Sequence, residues 1–166
     1  MPRVYVSIGS NIDRVAMIRS AVSALRGRYG DIVLSSVYES SAVGFDGDDF
    51  YNLVAAFDSG EDVPAINAFL HELERAHGRE RASTPFSPRT LDLDLLLYGD
   101  AVIDDGRIRI PRDEITRYAF VLAPLAEIAG DEAHPVSGMS YGALWRAFSD
   151  PAQRLERVEF SWRVNR

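Results

Sequence analysis

Residues 88–98 read PRTLDLDLLLY, and the alternation of acidic and apolar side chains predicts a β-strand from Leu91 to Tyr98. Side chains two positions apart in a strand project to the same face. Asp92 and Asp94 are therefore expected to point the same way, with Leu96 beside them. The opposite face is entirely apolar and is expected to lie in the core; it carries Leu91, Leu93, Leu95 and Leu97.

The chain before this strand alternates between strand and helix patterns. Apolar residues at every second position predict strands around Val4–Ile8, Ile32–Tyr38 and Leu53–Phe57. Apolar residues at helical spacing predict one helix around Val15–Leu25 and a second that begins at the capping residue Asp62. The order βαββαβ, completed by the strand with the two aspartates, is typical of a ferredoxin-like α+β sandwich.

The rest of the chain predicts an appended hairpin and C-terminal helices. The hairpin pairs Val102-Ile103 with Ile108–Ile110, and the helices run from Phe120 to Ile128 and from Tyr141 to Phe148. Residues 138–142 fit G-x-S-x-G, but no apolar strand precedes them and no histidine follows, so Ser140 is expected to be a helix N-cap. No repeat or linker divides the chain, and residues 1–166 are expected to form a single domain.

The composition is that of a small acidic globular protein, with 166 residues, no cysteine and a formal net charge of −7. The absence of cysteine excludes thiol redox chemistry and thiolate-bound zinc. The acidic balance disfavours a general nucleic-acid-binding surface. The apolar stretch in the opening MPRVYVSIGSN is too short for a signal peptide or a membrane span. We expect a cytoplasmic monomer that binds neither nucleic acid nor membrane.

All 18 basic side chains are arginine, so lysine Schiff-base chemistry and a P-loop lysine are both excluded. Codon bias explains the missing lysine most simply. The arginines are nevertheless concentrated in one part of an acidic chain, which favours an anionic small ligand gripped by planar guanidinium groups. That part carries Arg75, Arg79, Arg81, Arg89, Arg107, Arg109, Arg112 and Arg117.

Two carboxylates on one face of an apolar strand repel each other and need a compensating charge. Oxygen ligands at the spacing of Asp92 and Asp94 suit Mg²⁺, and such a pair can bridge two ions. A strand with one solvent-exposed polar face is the alternative. Arg79, Arg81 and Arg89 could clamp a metal-bound polyphosphate, or they could belong to a solvated loop.

Phe50 and Asn52 share one face of the predicted strand around Leu53–Phe57. An aromatic face for stacking and an amide for edge hydrogen bonds are a common way to bind a flat heterocycle. Phe120 could supply the second stacking surface. Each of these aromatic residues could instead be an ordinary core residue.

With its arginine followed by D-x-D, the segment Phe86–Leu96 resembles the 6-hydroxymethyl-7,8-dihydropterin pyrophosphokinase family of folate biosynthesis. The resemblance extends over nearly the whole chain and includes Ile8–Asn11, Phe50–Leu53, His77–Arg79 and Phe120–Leu125. It implies a ferredoxin-like fold. It also implies that the terminal two phosphates of the co-substrate ATP are transferred to the hydroxymethyl group of a pterin, with release of AMP.

The resemblance also implies roles for individual residues. Two Mg²⁺ ions would be held by Asp92 and Asp94. The catalytic set would be Arg79, Arg89, Asp92 and Asp94. The pterin would contact Ser40, Val43, Phe50, Asn52, Asp92 and Phe120. ATP would contact His71, Glu74, Arg79, Arg81, Arg89, Leu95, Arg107, Arg109, Arg112 and Arg117.

The chain departs from the family pattern at two positions near the expected nucleotide. Arg112 stands where a histidine is usual, and Tyr118 stands where an arginine is common. We expect the adjacent Arg117 to replace that missing cation. One alternative function is a catalytically impaired pterin-binding paralogue with a regulatory role. A nuclease or polymerase with paired aspartates is another, but the net charge of −7 disfavours the basic channel that such enzymes need.

Overall fold

The computed structural model describes residues 1–41, 49–78 and 91–163, which form two antiparallel sheets and five helices. The elements in chain order are β1 (Arg3–Ser10), α1 (Arg14–Tyr29), β2 (Val33–Leu34), β3 (Val37–Ser40), β4 (Phe50–Asp58), α2 (Val63–Ala76), β5 (Asp92–Tyr98), β6 (Ile103–Asp104), β7 (Arg109–Ile110), α3 (Glu114–Arg117), α4 (Ala119–Ala129), α5 (Tyr141–Ala147) and β8 (Leu155–Val158).

The main sheet has the strand order β5-β1-β4-β3-β8, and β2 also pairs with β4. The succession β1-α1-(β2, β3)-β4-α2-β5 is the predicted βαββαβ order, so the α+β, ferredoxin-like prediction is confirmed. The small sheet formed by β6 and β7 is the predicted hairpin, and α4 and α5 are the predicted C-terminal helices. The sequence did not predict β8, which extends the edge of the sheet beyond β3.

The predicted strand Ile32–Tyr38 is interrupted at Ser35, which separates β2 from β3. The backbone N–H of Ser35 donates to the carbonyl of Val54 at 2.9 Å, and the Ser35 hydroxyl accepts from the Val54 N–H at 2.9 Å. The serine side chain thus takes the place of a backbone acceptor. Because the serine hydroxyl accepts this bond, the regular ladder of backbone hydrogen bonds is interrupted without leaving the buried Val54 N–H unpaired.

Each face of the sheet supports its own apolar core. The face with Val4, Val6 and Ile8 packs against α1 and α2. The face with Tyr5 and Val54 packs against the C-terminal helices α3, α4 and α5. The C-terminal helices therefore form a third layer rather than a peripheral addition, since the second sheet face needs cover as much as the first.

A register irregularity in β5 corrects one prediction. Val6 of β1 pairs with Leu95, whereas its neighbour Tyr5 pairs with Leu97, so Leu96 is an extra residue in the ladder. Such a bulge ends the strict alternation of faces. Leu91, Leu93 and Leu95 lie in the core beside α1 and α2, as predicted, but Leu97 lies in the other core.

The helix ends follow the predicted signals. Asp62 accepts a hydrogen bond from the backbone N–H of Ala65 at 3.0 Å and begins α2. Ser140 accepts from Ala143 at 3.1 Å, so its predicted role as an N-cap is confirmed. Within the parts of the chain described above, no helix combines the length and apolarity that crossing a membrane would require.

Candidate active site

A cavity of about 340 Å³ opens on the sheet face that α4 covers, beside the N-terminal end of that helix. Strands β1, β3, β4 and β5 supply its floor and the segment from Arg112 to Val121 supplies its wall. It brings together residues that are far apart in the sequence and that were predicted as site residues. These are Ser40, Phe50, Asn52, Asp92, Asp94, Arg112 and Phe120.

The sheet register places Gly9 at the centre of the cavity floor. Gly9 pairs with Asn52 of β4 on one side and with Asp92 of β5 on the other. Because neighbouring strands lie roughly 4.8 Å apart, the backbones of Asn52 and Asp92 are about 10 Å apart across the floor. A Cβ atom at Gly9 would lie only 2.7 Å from the Asn52 Oδ1 atom, so glycine keeps the space above the floor open.

The amide of Asn52 is buried and held in one orientation. Only 4% of Asn52 is exposed, and its Nδ2 atom donates to the Ser40 hydroxyl at 2.8 Å. A primary amide has a second N–H and a carbonyl oxygen, which suit the polar edge of a heterocycle. Phe50 and Phe120 line the same cavity, and the Tyr118 ring stacks on Phe120 at a centroid distance of 5.0 Å.

The two aspartates lie on the β5 side of the floor, where Asp94 is opposite Ser7. Burial raises the pKa of Asp94 to about 6; repulsion from Asp92 adds to this, and Arg112 opposes it. The Asp94 side chain is 38% exposed and lines the cavity. Asp94 therefore lies in surroundings that favour a bound cation.

The donor set fits Mg²⁺ that arrives with a phosphate ligand. Among residues 1–41, 49–78 and 91–163, no group of three or more His, Asp or Glu side chains is arranged to hold a metal ion. Mg²⁺ is usually bound through one or two carboxylates, with substrate phosphates and water completing the octahedron. Asp92 and Asp94 could hold the ion in that way, with hard oxygen donors suited to it.

Arg112 is the one cation among the described residues that line the cavity. Its Nη2 atom lies 3.6 Å from Asp94 Oδ1, and its Nε atom donates to Glu114 Oε2 at 2.6 Å. Burial works against its charge, but Asp94 and Glu114 outweigh burial and raise the pKa of Arg112 above its ordinary value. The guanidinium is therefore charged at any physiological pH.

The sequence profile of the 7,8-dihydro-6-hydroxymethylpterin-pyrophosphokinase (HPPK) family matches residues 5–130, which include every described residue of this cavity. The chain belongs to the HPPK family. The resemblance around Asp92 and Asp94 is thereby confirmed at the level of the family.

Individual HPPK-family relatives agree with this membership. The 2-amino-4-hydroxy-6-hydroxymethyldihydropteridine pyrophosphokinase of Pseudomonas aeruginosa is 37% identical over 134 residues, covering 78% of this chain and 82% of that protein. The folic acid synthesis protein fol1 of Pneumocystis carinii is 31% identical over 150 residues, covering 89% of this chain. This chain spans only 20% of the length of that second relative.

A solved structure of HPPK-DHPS in complex with substrates has the same fold, with a TM-score of 0.71. The match covers 88% of this chain and 43% of that chain, at 11% sequence identity. At so low an identity the likeness shows the fold alone.

Several residues predicted to contact ATP in this HPPK-family chain lie outside the cavity. Arg109 pairs with Asp104 at 3.0 Å and with Asp113 at 2.7 Å, on the exposed hairpin that also carries Arg107. Arg117 is exposed and lines a separate depression with Gln153, so the structure gives no support to its predicted role as the cation of the site.

Other predicted ATP contacts are placed elsewhere. Glu74 is buried, accepts from the backbone N–H of Leu93 at 2.9 Å and pairs with His71 at 3.0 Å, so it joins α2 to β5. Leu95 is 3% exposed and its side chain belongs to the core beside α1 and α2, so its predicted contact with ATP stays a prediction that only its backbone could meet. The predicted residues Val43, Arg79, Arg81 and Arg89 lie outside the described residues.

Several residues that line the cavity were not predicted from the sequence. Ser7 and Gly9 share one strand face, and that alternation was a usable signal. Glu114 and Tyr118 are brought to the site by the chain reversal before α4, for which no sequence pattern was available. The resemblance to the family marks Tyr118 only as a departure from the usual pattern, whereas the structure has it in the cavity wall.

Proposed function

We propose that this protein transfers pyrophosphate from ATP to 6-hydroxymethyl-7,8-dihydropterin, giving AMP and the pterin diphosphate, as an enzyme of folate biosynthesis. One observation carries the proposal: Asn52 and Asp92 flank the bare backbone of Gly9 in a single cavity. A heterocycle held by the amide would thus have its substituent directed toward the carboxylates. The names of the pyrophosphokinase relatives support the same reaction.

The pterin would lie between the Phe50 and Phe120 rings, with its polar edge on Asn52. Stacking on two aromatic faces excludes water and fixes the ring plane. The hydrogen bond from Asn52 to Ser40 fixes the amide before the pterin arrives, so little ordering is needed on binding. We assign pterin binding to these four residues, together with Val43.

The phosphates would lie on the carboxylate side of the cavity. Asp92 and Asp94 would hold two Mg²⁺ ions, which when bound would neutralise phosphate charge and align the triphosphate. Arg112 adds a fixed positive charge within 3.6 Å of Asp94. We further propose Arg79, Arg81 and Arg89 as phosphate contacts, since ATP brings about four negative charges to a site whose described walls are acidic.

In the reaction, the hydroxymethyl oxygen of the pterin attacks the β-phosphorus of ATP. The bond from that phosphorus to the oxygen bridging the α- and β-phosphates breaks, and AMP leaves with the bridging oxygen. We propose that Asp92 orients the attacking hydroxyl, whose proton is released to solvent. Most of the rate would come from holding the two substrates in line and from the charges around the phosphates.

Identification of the products tests the proposal directly. The protein is incubated with ATP, Mg²⁺ and 6-hydroxymethyl-7,8-dihydropterin, and the products are separated by anion-exchange chromatography and assigned by ³¹P NMR. We expect equal amounts of AMP and pterin diphosphate, and none with Asp94→Asn. ADP with a pterin monophosphate would refute pyrophosphate transfer. Pterin binding without turnover would indicate the impaired paralogue. The monomeric state and cytoplasmic location stay predictions.

A further inference from the structure

We infer that Arg112 is an internal counter-ion of Asp94 that competes with free divalent metal for this carboxylate, so that the metal binds well only together with a phosphate ligand. The inference deepens the proposed function, because it rests on the metal-binding role of Asp92 and Asp94.

Arg112 is held in place through both its backbone and its side chain. Its backbone N–H donates to the carbonyl of Leu96 on β5 at 3.2 Å, which attaches the residue to the strand that bears the aspartates. The Nε atom donates to Glu114 at 2.6 Å, which leaves the Nη2 atom 3.6 Å from Asp94 Oδ1. The side chain is therefore already placed where a cation would approach Asp94.

The charges that line the cavity explain why Arg112 and a metal ion compete for Asp94. The described lining residues carry three carboxylates (Asp92, Asp94 and Glu114) and one guanidinium. A metal ion held by Asp94 would lie close to a guanidinium whose Nη2 atom is 3.6 Å from the same carboxylate, and the two cations would repel each other. A free ion must therefore displace a cation that is already paired with the carboxylate.

A phosphate ligand changes this balance. Its oxygens can accept hydrogen bonds from the guanidinium while they also bind the metal. Arg112 can then exchange Asp94 for a phosphate, and the same positive charge that opposes a free metal ion favours the metal–nucleotide complex. The effect of Arg112 on metal affinity is thus expected to be large without nucleotide and small or reversed with it.

Direct metal binding tests the inference without turnover. Mn²⁺ is titrated into the whole protein at pH 8, with and without a non-hydrolysable ATP analogue, and the free ion is measured by electron paramagnetic resonance. Arg112→Gln removes the charge but retains hydrogen-bonding groups, and Arg112→Lys retains the charge. Arg3→Gln is the matched control, because Arg3 pairs with Asp58 at 3.0 Å at the opposite end of β1.

We expect Arg112→Gln to bind free Mn²⁺ about tenfold more tightly than the wild type, the effect of one charge beside a divalent ion in a water-like medium. Arg112→Lys and Arg3→Gln should stay within about twofold of the wild type. Unchanged affinity in Arg112→Gln, or equal tightening in Arg112→Lys, overturns the inference. If Asp94→Asn in the Arg112→Gln background left Mn²⁺ binding intact, the proposed metal site itself would fail.

Discussion

Replacement of Gly9 by alanine tests whether the bare cavity floor positions the amide of Asn52, to which we assign pterin binding. The added Cβ would lie 2.7 Å from Asn52 Oδ1, about 0.7 Å inside the 3.4 Å at which ordinary contacts begin. Asn52 is 4% exposed and lies between the added Cβ atom and Ser40, so its side chain cannot move away without disturbing its 2.8 Å hydrogen bond to the Ser40 hydroxyl. A rigid amide that moves by this amount loses its alignment with any ligand.

The expected cost divides between folding and binding. Overpacking at one buried contact typically destabilises a protein by about 1–3 kcal/mol, which a folded domain of this size tolerates. A displaced amide that no longer pairs with a buried ligand edge costs about 1–3 kcal/mol of binding, or roughly tenfold to a hundredfold in affinity. We therefore expect Gly9→Ala to remain folded but to bind pterin at least about tenfold more weakly.

Isothermal titration calorimetry with a hydroxymethylpterin, in the presence of Mg²⁺ and a non-hydrolysable ATP analogue, measures the affinity. Urea unfolding measures the stability. Gly60→Ala is the matched control, because the atom nearest to its added Cβ is Met1 Sδ at 3.6 Å, an ordinary contact. Wild-type pterin affinity in a folded Gly9→Ala protein would refute the reasoning, since it would show that Asn52 need not occupy its present position.

Two further substitutions test the electrostatics of the site. Asp94→Asn should abolish turnover yet raise the melting temperature at pH 8. The reason is that a pKa raised to about 6 makes the ionised Asp94 carboxylate unfavourable to the folded state. The gain in melting temperature, measured by calorimetry, should therefore shrink as the pH falls from about 6 to 4. An equal gain at pH 4 would show that the ionised carboxylate is not its cause. Arg117→Ala should leave kcat and the KM for ATP within about twofold in steady-state assays, because Arg117 is exposed and outside the cavity; a hundredfold loss would restore it as a phosphate contact.

The local patterns were sufficient for the fold class. Alternation in Val4–Ile8 and Leu91–Leu95 reports which side chains face the core, because the two faces of a strand meet different surroundings. The same alternation predicted that Asp92 and Asp94 share a face, as the cavity lining bears out. It failed at Leu97, because the bulge opposite Tyr5 and Val6 depends on the partner strand.

The sequence by itself determined the βαββαβ order, the acidic pair and the family, since each depends on residues close together in the chain or on a pattern along it. Only the tertiary structure decided that Gly9 lies between Asn52 and Asp92, because register is a relation between strands that are distant in sequence. It also decided that Arg112, and not Arg117, faces Asp94. The sequence could not decide this, because the path of the chain before α4 sets which side chains enter the cavity: Tyr118 lines it, whereas the adjacent Arg117 lies outside it.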